Sequence, residues 1–127
     1  MIVVDASVLI AHLDARDALH ARAVEALTSF ASLSLAASLL TFAEVLGGPA
    51  RAGRLDEAAG ALRALGVREI AFPTDASVRL AELRARTGLK LPDCCVLLAA
   101  EGASAEAVLT FHDRLGAEAK RRGFATA

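Results

Sequence analysis

The chain has no tryptophan, no tyrosine and only five phenylalanines, so aliphatic side chains must supply most of its core. Cysteine is almost as scarce. Cys94 and Cys95 are neighbours, and a disulfide between adjacent residues is strained. With no second pair, a thiolate zinc site is not expected either. No apolar run approaches the roughly 18 residues of a membrane span, and no basic segment precedes an apolar one at the amino terminus. These absences lead to the expectation of a cytoplasmic protein. The formal charge of −1 gives no general attraction to nucleic acid, so such a partner requires a local basic patch.

What is present is aliphatic and helix-favouring. Of 127 residues, 55% are hydrophobic, with alanine and leucine abundant. That composition suits a folded domain rather than a disordered chain. Its length suits a single domain over residues 1–127. Ile2-Val3-Val4 is a β-branched run that reads as a strand buried on both faces. Asp5 interrupts it, and Ser7 opens the helical run Val8-Leu9-Ile10-Ala11. In an open α/β sheet, ligands bind beyond the carboxyl ends of the strands. Asp5 is thus either a floor residue of such a crevice or a cap for the next helix.

The remaining chain alternates strand and helix. A helix is expected from Asp17 to Ala31, a strand over Leu33–Ala37, and a helix from Leu39 to Leu46 capped by Ser38 and broken at Gly47-Gly48-Pro49. These glycines lack the spacing and the lysine of a phosphate-binding loop. Glu44 falls off the apolar stripe of its helix, which periodicity alone reads as a solvated position. Arg54–Leu65 reads as an amphipathic helix closed by Gly66, followed by a strand over Val67–Phe72 and a helix over Asp75–Arg86. Pro92 and Asp93 open a helix that is apolar nearly all round and must be buried. Ala107–Thr110 is the next strand, Leu115–Arg122 a basic helix, and Phe124-Ala125 a possible edge strand. His12 and His20 have no metal-binding spacing and read as surface or partly buried residues. Alternation of this kind predicts a three-layer α/β/α sandwich around a parallel sheet of four or five strands.

On that scaffold Asp5, Glu44, Asp93 and Asp113 all fall near the carboxyl edge, with no lysine or arginine at equivalent positions. Clustered carboxylates repel unless a proton or cation intervenes. Oxygen ligands select a hard dication, Mg²⁺ or Mn²⁺, and such an ion serves phosphodiester hydrolysis. Arg51, Arg54, Arg86, Lys90 and Arg114 lie near this edge in sequence as candidates for holding a phosphodiester backbone, against the simpler reading as solvated helix faces.

Four stretches carry a family resemblance: Val3-Val4-Asp5-Ala6-Ser7-Val8-Leu9-Ile10, Thr41-Phe42-Ala43-Glu44-Val45-Leu46, Leu91-Pro92-Asp93-Cys94 to Ala99, and Leu109-Thr110-Phe111-His112-Asp113-Arg114. In this order and spacing the chain resembles the PIN-domain proteins, and among them the VapC-type ribonuclease toxins of bacterial toxin–antitoxin pairs. The resemblance implies a homodimer, Mg²⁺-dependent cleavage of RNA, and a cognate antitoxin that blocks it. It also implies that Asp5, Glu44, Asp93 and Asp113 act at the site, with Asp5, Asp93 and Asp113 as metal ligands and the hydroxyls of Ser7 and Thr110 in support. One departure stands out. The family often has its last acid at the second residue after the threonine, where this chain has His112. Asp113 is the expected replacement, since histidine is the poorer Mg²⁺ ligand.

Two other classes compete. A phosphotransfer receiver domain requires an acid pair after the first strand and a late lysine, and neither is present. A PIN fold that binds without cleaving is the second, kept open by the His112-Asp113 irregularity.

Overall fold

The computed structural model covers Met1–Ala127. Its elements, in chain order, are β1 (Ile2–Val4), α1 (Ala6–Leu13), α2 (His20–Ser29), β2 (Leu35–Ser38), α3 (Leu39–Arg51), α4 (Leu55–Leu65), β3 (Arg68–Ile70), α5 (Ala76–Thr87), α6 (Leu91–Gly102), β4 (Ala107–Leu109) and α7 (Asp113–Arg121). The sheet runs β3-β2-β1-β4 and every pairing is parallel. The expected α/β sandwich is therefore present, with four strands. The proposed edge strand is reduced to one parallel bridge, Ala107 to Ala125.

Strand alternation sorts the core into two layers. Ile2, Val4 and Leu109 join Val8, Leu9, Leu27, Val45 and Leu62 on the face covered by α1 to α4. Val3 and Val108 join Leu83, Val96, Leu97 and Leu115 on the face covered by α5 to α7. α6 buries every residue from Cys94 to Ala100, and each leucine or valine so covered contributes about 1.5–3 kcal/mol. A helix anchored this way holds its first turn, with Asp93, firmly against the sheet edge. Both cysteines are free thiols, and burial, then Cys94 and Glu44, pushes Cys95 up to about 11.

The expected break at Gly47-Gly48-Pro49 does not occur: α3 continues to Arg51. Proline lacks a backbone N–H and crowds the preceding turn. Pro49, however, falls in the final turn, and the helix ends within three residues at Ala52, whose N–H bonds Gly48 O at 3.1 Å. α2 begins at His20 rather than Asp17, because the Asp17 carboxylate accepts from Leu19 N at 2.8 Å and holds a turn there. α7 begins at Asp113 rather than Leu115. Gly66 and Gly88 close α4 and α5 at φ 79 and 68, where a side chain would be strained.

Candidate metal centre

β1 ends at the middle of the sheet, beside β4, and the residues that follow these two strands meet. Asp5 takes the N-cap position of α1, yet its side chain makes no capping bond. Instead the Ser7 hydroxyl donates to Asp5 Oδ2 at 2.7 Å and the Thr110 hydroxyl donates to the same oxygen at 2.8 Å. The cap reading of Asp5 is thereby set aside: this carboxylate, 2% exposed, is held by side chains rather than by the helix. Both hydroxyls are used twice. Ser7 Oγ accepts from Phe111 N at 3.0 Å and Thr110 Oγ1 accepts from His112 N at 3.0 Å. The loop after β4 is thus tied to the loop after β1. No bond within the chain reaches Asp5 Oδ1.

Asp93 enters from the opposite layer, in the first turn of α6, where an acid also complements the helix dipole. His112 closes the group. Its Nδ1 lies 3.3 Å from Asp93 Oδ1 and 3.4 Å from Asp5 Oδ2. No lysine or arginine pairs with Asp5 or Asp93; His112 Nδ1 is the only side-chain nitrogen within 4 Å of their carboxylates. Glu44, on α3, is exposed by area. Its carboxyl is nonetheless held above the usual glutamate range, first by partial loss of solvent and then by the charges of Asp5 and Asp93, with His112 acting the other way. That coupling places Glu44 within the field of the site.

One oxygen each from Asp5 and Asp93 and one nitrogen from His112 lie within 4.8 Å of one another. Around an octahedral ion with bonds of about 2.1 Å, opposite ligands stand about 4.2 Å apart. The group therefore fits a single dication with little adjustment.

Asp113, the expected third ligand, is not in this group. It opens α7, is exposed, and lines a cleft of about 250 Å³ with Arg22, Thr110, His112 and Lys120. The loop has not shifted to bring Asp113 inward, and His112 occupies the position facing both acids. Of the basic candidates, Arg54 pairs with Glu57 at 3.3 Å and Arg114 donates to Gly88 O at 3.4 Å. Arg22 and Lys120, which line the cleft beside His112, were not singled out by sequence. Arg22 also lies over the Phe111 ring, 4.7 Å from its centroid. Nothing in the sequence around Arg22 signals this, because α2 reaches the site only through the fold. His12 and His20 stack at 6.1 Å, and His20 Nδ1 is 2.9 Å from Ala11 O, well removed from any third ligand.

A doubly covered parallel sheet with a dication-sized group of acids at its carboxyl edge defines the class: an α/β protein with a candidate metal centre. The PIN domain profile matches residues 2–120, and the chain belongs to that family. Among solved structures it is similar to VapC20 of Mycobacterium tuberculosis, a sarcin–ricin loop cleaving toxin. Identity there is 19%, with 98% of this chain and 97% of that one covered and a TM-score of 0.77; for the next relative the TM-score is 0.71. That next relative is a toxin–antitoxin complex from Klebsiella pneumoniae, 24% identical, with 88% and 87% of the two chains covered. VapBC2 from Rickettsia felis, bound to a DNA fragment from its promoter, shares 14% identity over 100% and 98% of the chains, with a TM-score of 0.66. No curated protein matches the chain. No helix is long and apolar enough to cross a membrane.

Proposed function

We propose that this chain is a divalent-metal-dependent endoribonuclease and the toxin of a bacterial toxin–antitoxin pair. The observation that carries the reading is a buried Asp5 converging with Asp93 at a sheet edge that offers no lysine or arginine to either. Such an arrangement costs stability in the resting protein, and a cation supplied from outside relieves it. Asp5 and Asp93 would hold that ion, Mg²⁺ or Mn²⁺. When bound, it would make a water more acidic and supply positive charge to the phosphate.

The chain's own groups do the rest. Ser7 and Thr110 donate to Asp5 Oδ2, which fixes the orientation of this carboxylate and leaves Oδ1 without a protein partner. Glu44, whose carboxyl has a raised proton affinity, suits acceptance of the proton lost by the attacking water. Arg22 and Lys120 flank the same cleft and match the spacing-tolerant charge of a nucleic-acid backbone. Support for RNA as substrate comes from the sarcin–ricin loop cleavage of the Mycobacterium tuberculosis relative, and support for an antitoxin from the complexes among the neighbours. A homodimer belongs to the same reading. Ile10, Leu39 and Leu55, on α1, α3 and α4, are exposed apolar residues suited to association, and light scattering that finds only monomer at micromolar concentration would remove it.

The test is cleavage of RNA by antitoxin-free protein. Activity should require Mg²⁺ or Mn²⁺, stop with EDTA, and fall by at least about 100-fold in Asp93→Ala, since loss even of an outer-shell partner costs about 10–100-fold. Cleavage that persists in chelator, with Asp93→Ala unaffected, would sink the proposal. The second reading, a PIN fold that binds without cleaving, is favoured by one observation: His112 already faces both acids. Under it the purified protein binds RNA or its partner and cleaves nothing with any dication.

A further inference from the structure

We propose that His112 is itself a ligand of the metal centre, so that the site is a mixed carboxylate–imidazole site that prefers Mn²⁺ to Mg²⁺. This rests on the metal reading above and concerns which atom completes the site.

Three observations point to His112 rather than Asp113. The first is position. His112 Nδ1 stands 3.3 Å and 3.4 Å from one oxygen of each acid, whereas Asp113 is absent from the group. The second is that the loop is built to hold the ring there. His112 N donates to Thr110 Oγ1 and Phe111 N donates to Ser7 Oγ, both at 3.0 Å, and these same hydroxyls grip Asp5. Arg22 lies over the Phe111 ring, 4.7 Å from its centroid. Moving Asp113 inward by one residue would break the two backbone bonds that register this loop on Asp5. The third is the helix that follows. Asp113 is the first residue of α7, with helical backbone, and His112 is the extended residue before it. A shift of register would therefore unwind the start of α7 as well.

The chemical consequence follows from ligand type. Carboxylates and water suit Mg²⁺, whereas imidazole suits the later divalent metals, and Mn²⁺ accepts both. Replacing an acid by a neutral imidazole also reduces the negative charge of the ligand set. Both changes lower affinity for Mg²⁺ more than for Mn²⁺.

The experiment uses untagged full-length protein, titrated with Mn²⁺ or Mg²⁺ alone by calorimetry, and pulsed EPR of the Mn²⁺ complex. The expected result is tighter binding of Mn²⁺ than of Mg²⁺ and a ¹⁴N coupling from one imidazole. The coupling should vanish in His112→Asp and His112→Ala and persist in Asp113→Asn. His112→Asp should narrow the preference for Mn²⁺ by roughly 10-fold, the lower end of what loss of even an outer-shell partner costs. Because His112 and Asp113 are exposed, all three variants are expected to fold, and circular dichroism checks this. Mn²⁺ binding with no ¹⁴N coupling, or weakened by Asp113→Asn and indifferent to His112, overturns the inference while leaving the metal centre standing. Absence of binding by either ion, in a folded protein, overturns the metal reading and this inference with it.

Discussion

At the amino edge of the sheet the Met1 amino group pairs with Glu106 Oε2 at 3.1 Å, and the Glu106 carboxylate is 62% exposed. At the carboxyl edge Asp5 is 2% exposed and meets only hydroxyls and His112. The same strands thus end in neutralised, solvated charge on one side and in buried, uncompensated charge on the other. The four buried polar residues, Asp5, Ser38, Thr41 and Thr110, all lie at or just beyond a strand's carboxyl end. Ser38 caps α3 by accepting from Thr41 N at 3.1 Å, so stability accounts for that pair, but it gives no reason for the buried carboxylate of Asp5. Exposed pairs contribute little because water competes for them, and burying a carboxylate without a full partner costs free energy. Uncompensated charge at one edge therefore marks where the protein acts rather than what holds it together.

The contrast can be broken by removing what supports the buried charge. Thr110→Val keeps the shape but deletes the hydroxyl that donates to Asp5 Oδ2 and accepts from His112 N. A buried anion loses a donor and an amide loses its acceptor, which costs about 1–3 kcal/mol. Urea denaturation should show a lower midpoint with an unchanged slope. A loss below about 0.5 kcal/mol, less than one ordinary hydrogen bond, would mean that the carboxyl edge is not organised around Asp5.

Glu44→Gln sharpens the contrast with a smaller effect. Loss of solvent and the charges of Asp5 and Asp93 hold the Glu44 carboxyl above its ordinary value of 4.5. A group that binds its proton more tightly when folded makes its ionisation unfavourable to the fold. That cost is present at neutral pH and disappears as pH falls through the raised value toward the ordinary one. Metal-free Glu44→Gln should therefore melt above the wild type at neutral pH, and the difference should close in mildly acidic buffer. A variant less stable than wild type at neutral pH would show that ionised Glu44 makes favourable contacts instead.

Much of this frame was legible from local chemistry. Ile2-Val3-Val4 and Ala107-Val108-Leu109 declare buried parallel strands, and the apolar stretch after Asp93 declares a buried helix. Gly66 and Gly88 mark helix ends because only the left-handed backbone fits there. The misreadings have tertiary causes. Gly47-Gly48-Pro49 reads as a break until packing shows that the proline falls in a last turn. Asp5 could not be sorted between cap and site from its neighbours, since its deciding partner, Thr110, is 105 residues away. Whether His112 or Asp113 faces the acids depends on two backbone bonds from the following loop, to Ser7 and Thr110. Periodicity placed Glu44 among solvated residues, and its surface agrees; what periodicity omits is the field of two acids from other elements.

The smallest effect belongs to the amino edge, and it is the control for the rest. Glu106→Gln removes the carboxylate that pairs with the Met1 amino group and leaves a side chain of nearly the same size. Backbone bonds in this region, Glu106 N to Met1 O at 2.9 Å and Ala125 N to Glu106 O at 3.0 Å, do not use the side chain and survive the change. What is lost is one exposed ion pair, worth about 0–1 kcal/mol and screened by salt. The variant should unfold within about 0.5 kcal/mol of wild type at moderate ionic strength, with any difference shrinking as salt is added. It should also leave metal binding and RNA cleavage untouched, since the whole sheet separates it from Asp5. A loss of more than about 1.5 kcal/mol, beyond the range of exposed pairs, would mean that charge at the amino edge is structural too. The asymmetry between the two edges would then no longer distinguish a site of action from a site of support.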